Sequence, residues 1–260
     1  MTERKRYGKP PVDEVAFRFD FPLILRLSNE LPYVFQEKIC KKYPVYNQQI
    51  EQEISIVAGG IGDKPIAPTV SSRPMNSHTF QTENGDGLVT IAPGYFYFST
   101  RKYVKWEEFK EEAYEIFNLF REIYAPQLYT RVGLRYLDVF VRSRYGLNDK
   151  KWSELINPEF LGQLSNENVD GNFFNSACDI KFIDSIDRAR ITVAIVVNDK
   201  DLAPMDMKEK CLLFDTDVYV ADRIPSNNGE ETLERLHSSA SLLFKSISKP
   251  ILDDAMEPMR

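Results

Sequence analysis

Apolar and polar positions alternate from residue 14 onward. Val15, Phe17, Phe19 and Phe21 fall on one side of an extended chain, and Glu14, Arg18 and Asp20 fall on the other. This is the period of two that a half-buried strand requires. Pro22 ends the run, and the Leu/Ile/Phe-rich stretch 23–43 predicts a helix that Pro32 kinks or divides. Further strands are expected at 49–58, 80–81, 88–92 and 94–100. A second series follows: a leading strand at 129–141, a helix at 152–164 broken near Pro158, and strands at 173–183, 189–197 and 211–221. The period shifts to three and four in two places. Trp106, Phe109, Ala113, Ile116, Phe117, Phe120 and Ile123 form one helical stripe, and Leu233, Leu236, Ala240, Leu243, Phe244 and Ile247 form another.

The two series resemble each other. Val15, Phe17, Arg18 and Phe19 align with Val132, Leu134, Arg135 and Tyr136 at an offset of 132 − 15 = 117, with Asp20 and Asp138 one step out of phase. The segment from Phe96 to Thr100 aligns with Leu212 to Thr216 at 212 − 96 = 116. Self-similarity at one spacing points to an internal duplication. The expected fold is therefore α+β: two pseudo-repeats, 1–128 and 129–260, each running strand, helix, antiparallel strands, long helix. Short turns between the later strands make the sheets antiparallel with helices on one face, and the two sheets can join into a single curved one.

Composition narrows the function classes. The 260 residues are 43% hydrophobic, enough for a substantial core, and the net charge of −6 supplies no global field for nucleic acid or an anionic membrane. The opening residues lack a signal-peptide core, no stretch approaches a membrane span, and three widely spaced cysteines (Cys40, Cys178, Cys211) in mainly apolar settings suggest free thiols. A cytoplasmic location without membrane contact is the expectation.

Several segments together resemble a known family. They are Lys9, Pro10, Pro11, Val12 and Glu14 before the first strand, the run from Arg131 to Tyr136, the stretch from Leu213 to Asp217, and Leu236, His237 and Phe244 near the end. They look like the sporadically distributed bacterial and archaeal family of unknown function with RIGLRYIN- and LDID-type motifs, with Leu137, Asp138, Phe214 and Thr216 departing from its pattern. The resemblance implies a prokaryotic source and an accessory role in a mobile or genome-conflict system. It implies no activity.

Candidate chemistry is sparse. Asp215 and Asp217, two apart on a strand, share a face and form the one pair suited to a divalent metal in phosphoryl transfer. No third carboxylate or phosphate loop accompanies them, and the plainer reading is a solvent-facing acidic pair. Arg18 and Arg135 occupy matching positions and can clamp an anion or pair with these aspartates. His237 lies beside the apolar stripe of the last helix, where it is a general base or a hydrogen-bonded packing residue. His78, in a Pro/Ser-rich stretch, has no zinc-ligand companion, and the cysteines have no activating neighbours. Residues 59–77 form a Gly/Pro/Ser-rich stretch expected to be a mobile loop that orders on a partner. The clusters Arg4, Lys5, Arg6 and Arg101, Lys102, Lys105, with Tyr103 and Trp106, are candidates for single-stranded nucleic acid, countered by Glu107 and Glu108. The sequence is read as a non-enzymatic protein-interaction scaffold with a protein partner and no cofactor. A metal-dependent enzyme on nucleotides or nucleic acid, acting through Asp215 and Asp217, is the alternative.

Overall fold

The protein is described from a computed structural model covering residues 6–57, 60–61, 64–65, 69–166, 175–198 and 208–259, with backbone alone described within 53–73. Nine strands form one antiparallel sheet: β1 (Val12–Asp20), β2 (Val45–Val57), β3 (Thr69–Gln81), β4 (Gly87–Ala92), β5 (Tyr95–Thr100), β6 (Arg131–Phe140), β7 (Asn175–Lys181), β8 (Arg188–Val197) and β9 (Lys210–Val220). Their spatial order is β7-β8-β9-β6-β1-β5-β4-β3-β2, so the two leading strands, β1 and β6, pair with each other at its middle.

Alternation decides the two faces. Val15, Phe17 and Phe19 of β1, Phe96 and Phe98 of β5, Val132 and Leu134 of β6, and Phe214 and Val218 of β9 are buried. Helices α3 (Trp106–Tyr124) and α6 (Gly229–Ile247) lie against this face. Phe117 of α3 stacks on Phe19 at 4.3 Å and meets Phe17 and Phe96 edge-on or tilted, which makes an aromatic centre to the core. Glu107 and Glu108 in the first turn of α3 and Glu230 and Glu231 in that of α6 suit the positive end of each helix dipole. Helix α3 stops where Ala125 turns left-handed (φ 45°) ahead of Pro126.

Pro32 divides the expected long helix into α1 (Leu25–Asn29) and α2 (Tyr33–Ile39), because a proline at that point cannot continue the hydrogen-bond ladder. Pro158 likewise opens a new short helix, α5 (Pro158–Leu161), after α4 (Trp152–Leu155). One expectation fails. Of residues 59–77, the part from Thr69 onward is strand: β2 and β3 pair from Val57↔Thr69 to Val45↔Gln81 as a long hairpin. Only its His78–Gln81 end also pairs with β4, so Pro74 stands where β3 is bonded on one side alone, a position at which proline is tolerated. Residues 58–59, 62–63 and 66–68 lie outside the described residues, as do Arg4 and Lys5.

The chain ends meet in a two-stranded clasp. Arg6–Tyr7 pairs with Pro258–Met259, beyond a last helix, α7 (Pro250–Ala255). Among the described residues, no helix is long and apolar enough to cross a membrane.

Candidate functional site

The sheet face opposite the helices carries most of the residues singled out from sequence. Asp215 takes a bidentate pair from Arg135, whose Nε and Nη2 each donate at 2.7 Å. Asp217 is held by Arg131 Nη2 at 2.6 Å, and Arg131 also lies over the ring of Tyr219. Arg18 does not reach either aspartate. It donates to Asp20 at 2.8 Å and rests over Tyr95, its guanidinium 3.9 Å from the ring centroid. The pairing expected of Arg18 thus belongs to Arg131, because β1 lies on the far side of β6 from β9. Arg18, Asp20, Arg131, Arg135 and Asp217 line a groove of about 420 Å³, and each of them is already in an ion pair. Among the described residues, no group of three His, Cys, Asp or Glu side chains is placed to hold a metal ion.

The other candidates divide. His78 is not in a loop: it sits on β3, buried, its ring bonded to Tyr46 Oη at 2.9 Å. Burial lowers its pKa from the usual imidazole value. Cys40 and Cys178 are exposed, in contrast to the apolar setting expected, and Cys211 alone is buried. The described members of the basic clusters are matched by acids: Arg6 with Glu107, Arg101 with Glu14, Lys102 with Asp86 and Lys105 with Glu108.

His237 leads to a different place. It lies on α6, buried, with its ring stacked flat on Trp106 of α3 at 4.2 Å. Its Nδ1 is 2.8 Å from Tyr136 Oη on β6. Trp106 in turn donates to Glu234, which also binds Lys110. His237, Trp106 and Tyr136 wall a cavity of about 410 Å³ between the helix-side face of β6 and β9 and the two long helices, with Arg6, Tyr7 and Met259 of the terminal clasp also in its lining. Tyr7, Tyr103, Phe244 and Val12 complete an apolar and aromatic lining, with Thr216 and Asp138 on the sheet.

Asp138 is the unusual member. It is 1% exposed, and its Oδ1 has no hydrogen-bond partner among the described residues. Burial, reinforced by the charge of Asp215, pushes its pKa up to about 8, so its carboxyl is mostly protonated at neutral pH. Asp187, equally buried, shows the ordinary solution: Arg235 and Ser239 both donate to it. A buried polar group left unpaired costs roughly 1–3 kcal/mol, so its retention in a cavity wall needs a reason.

In the sequence Asp138 stands out as a misaligned counterpart of Asp20 and as a departure from the family motif, not as a site residue. Yet the signal was present, since Val132, Leu134, Tyr136, Asp138 and Phe140 share one phase of β6 and an acid there points into the core. Cavities of this size, largely apolar with a few convergent polar groups and a perturbed acid, are where small ligands bind. The chain matches no protein-family model and no curated protein.

Proposed function

We propose that this chain is a non-enzymatic binding protein that holds a small, mainly apolar ligand in the cavity floored by Asp138. The observation that carries the reading is a cavity of about 410 Å³ walled by aromatic side chains, with Asp138, whose Oδ1 has no hydrogen-bond partner among the described residues, in its lining. The aromatic walls supply the apolar contact for such a ligand. The paired state of Asp215 and Asp217 favours this cavity over a metal centre on the opposite face.

The test uses 1-anilinonaphthalene-8-sulfonate, an aromatic anion compatible in size with the cavity. We expect saturable, one-site fluorescence enhancement with the native chain. Ala240→Phe, which projects a ring from α6 into the cavity, should abolish it with an unchanged far-ultraviolet circular dichroism spectrum. Equal enhancement in both proteins rejects the cavity as the site.

A protein partner is the second reading, favoured by the outer edge of the sheet. Strand β2 is the last in the order and exposes Val45, Tyr46 and Ile50, the last at 71%. Such an edge accepts an added strand. Elution of the native protein alone from its own cell extract at low salt counts against it.

The two-unit plan belongs to the same proposal. Its support is that each leading strand pairs with the last strand of its own series, β1 with β5 and β6 with β9. Phe17 lies opposite Leu134, its counterpart at offset 117, and Phe98 and Val218 lie opposite those two residues in turn. By that pairing the last strands correspond at 218 − 98 = 120 rather than 116. The even difference of four leaves the faces unchanged.

A further inference from the structure

Resting on the sheet-edge reading of a protein partner, we propose that the partner is a second copy of this chain, its β2 paired antiparallel with β2 of the first about a two-fold axis at Ile50. The unequal protection of the free edges is the first observation. Exposed edges are normally short, charged or interrupted by proline, because an open one recruits other strands. At one end of the sheet, β7 has seven residues and carries Asp179 and Lys181. On the inner side of the hairpin, where β3 runs beyond its pairing with β4, stands Pro74. Strand β2 has thirteen residues without a proline, lysine or arginine, and no strand pairs with its outer side among the described residues.

The direction of the backbone groups is the second. Just past the end of β3, the Thr82 N–H donates to the Gly87 carbonyl at 3.0 Å, so His78 and Phe80, in the same phase, turn their N–H and C=O groups to β4. The odd-numbered residues of β3 then face β2. Carried across the register of the hairpin, Val45, Asn47, Gln49 and Glu51 bond to β3, whereas Tyr46, Gln48, Ile50 and Gln52 aim their backbone groups outward. The same phase turns the nitrogen of Pro74 away from β2, which blocks the inner edge without costing the hairpin a bond. Self-complementarity is the third. With the axis at Ile50, that residue meets its own copy, Gln48 meets Gln52, and Gln49 meets Glu51. Ile50, 71% exposed in one chain, is then covered by its twin. The amides of Gln48 and Gln52 suit each other, and Gln49 brings a donor to Glu51, whose Oε1 accepts from Tyr95 Oη at 2.6 Å. An axis at Glu51 would set that acid against itself, and one at Gln49 would set Ile50 against Gln48. The contact is isologous, so it closes at two chains.

Size-exclusion chromatography with light scattering tests this on the full chain, under dithiothreitol so that the exposed Cys40 and Cys178 form no crosslink. We expect twice the 30.1 kDa mass of one chain. Ile50→Lys and Ile50→Glu each set like charges face to face at the axis, and each should elute as a single chain with the native far-ultraviolet circular dichroism spectrum. Mixed one to one, the two variants should regain the double mass, because opposite charges meet at the axis only in the mixed pair. A native chain of single mass, an Ile50→Lys variant that keeps the double mass, or a mixture that stays single overturns the proposal. A native chain that is single, yet leaves its own cell extract with another protein that Ile50→Lys fails to hold, rejects the second copy and leaves the edge reading intact. One that is single and elutes alone rejects both.

Discussion

A carboxyl kept neutral inside a protein sets a pH course opposite to that of one held in an ion pair. In the unfolded chain Asp138 loses its proton near pH 4, whereas in the folded protein it keeps it up to about 8. Between those values the native state binds one more proton than the unfolded state, so stability falls as pH rises, by about 1.4 kcal/mol per unit, and levels off above the folded value. Asp138→Asn removes this linkage while preserving shape. We therefore expect the variant to melt higher than the native protein at pH 7 and to converge with it toward pH 4. Differential scanning calorimetry across pH 4–9 measures this, and a difference between the two proteins that does not change with pH contradicts a neutral Asp138. A residue that weakens the apo fold at neutral pH fits a binding site, where stability is commonly traded for function. Arg135 and Asp215 offer the contrast: a bidentate pair on a half-exposed face, whose removal should cost no more than about 1 kcal/mol.

At the scale of elements, two backbone positions carry opposite expectations. Gly229 opens α6 directly over the core, and a Cβ there would lie 2.7 Å from the Tyr129 ring and 2.9 Å from that of Phe19, both fully buried. Alanine normally favours a helix over glycine, yet here the rings cannot retreat. Gly229→Ala should lower stability by about 1–3 kcal/mol, the scale of overpacking. Ala125 ends α3 at φ 45°, where a side chain is strained, so Ala125→Gly should raise stability by about 1 kcal/mol. Urea denaturation reads both, and a stabilising Gly229→Ala would falsify the close approach. The same elements show what the amino-acid pattern reveals. The stripes of α3 and α6, the alternation in β1 and β6 and the breaks at Pro32 and Pro158 were legible, since each expresses a local period or a missing N–H. Most of β2 and the end of β3 were legible too, as strands at 49–58 and 80–81, but the part of β3 from Thr69 was not, because Ser, Thr and Pro in a strand paired largely on one side leave no apolar alternation to read. The cavity was hidden for another reason. Asp138, Trp106 and His237 lie on three separate elements, and only tertiary packing brings them together.

For the whole molecule, the central question is whether residues 1–128 and 129–260 are independent. The pairing of β1 with β6, from Arg131↔Asp20 to Asp138↔Val12, makes the middle of the sheet depend on both halves. Across the helix layer, Glu234 of α6 receives Trp106 and Lys110 of α3, and Glu230 receives Arg121. The terminal clasp joins Arg6–Tyr7 to Pro258–Met259. Separating the halves would expose two central strand edges and the inner sides of both long helices, surfaces prone to aggregation. The halves should therefore fold as one cooperative unit despite the two-unit plan we propose for them. The two tryptophans report on this separately, Trp106 from the first half and Trp152 from the second. In chains carrying Trp152→Phe or Trp106→Phe, the fluorescence of the remaining tryptophan should give one urea midpoint, shared with the far-ultraviolet circular dichroism of the same protein. A tryptophan midpoint that departs from the dichroism midpoint in either chain would mean that the central pairing of β1 and β6 does not couple the halves. In that case the cavity, built from both of them, could open without global unfolding.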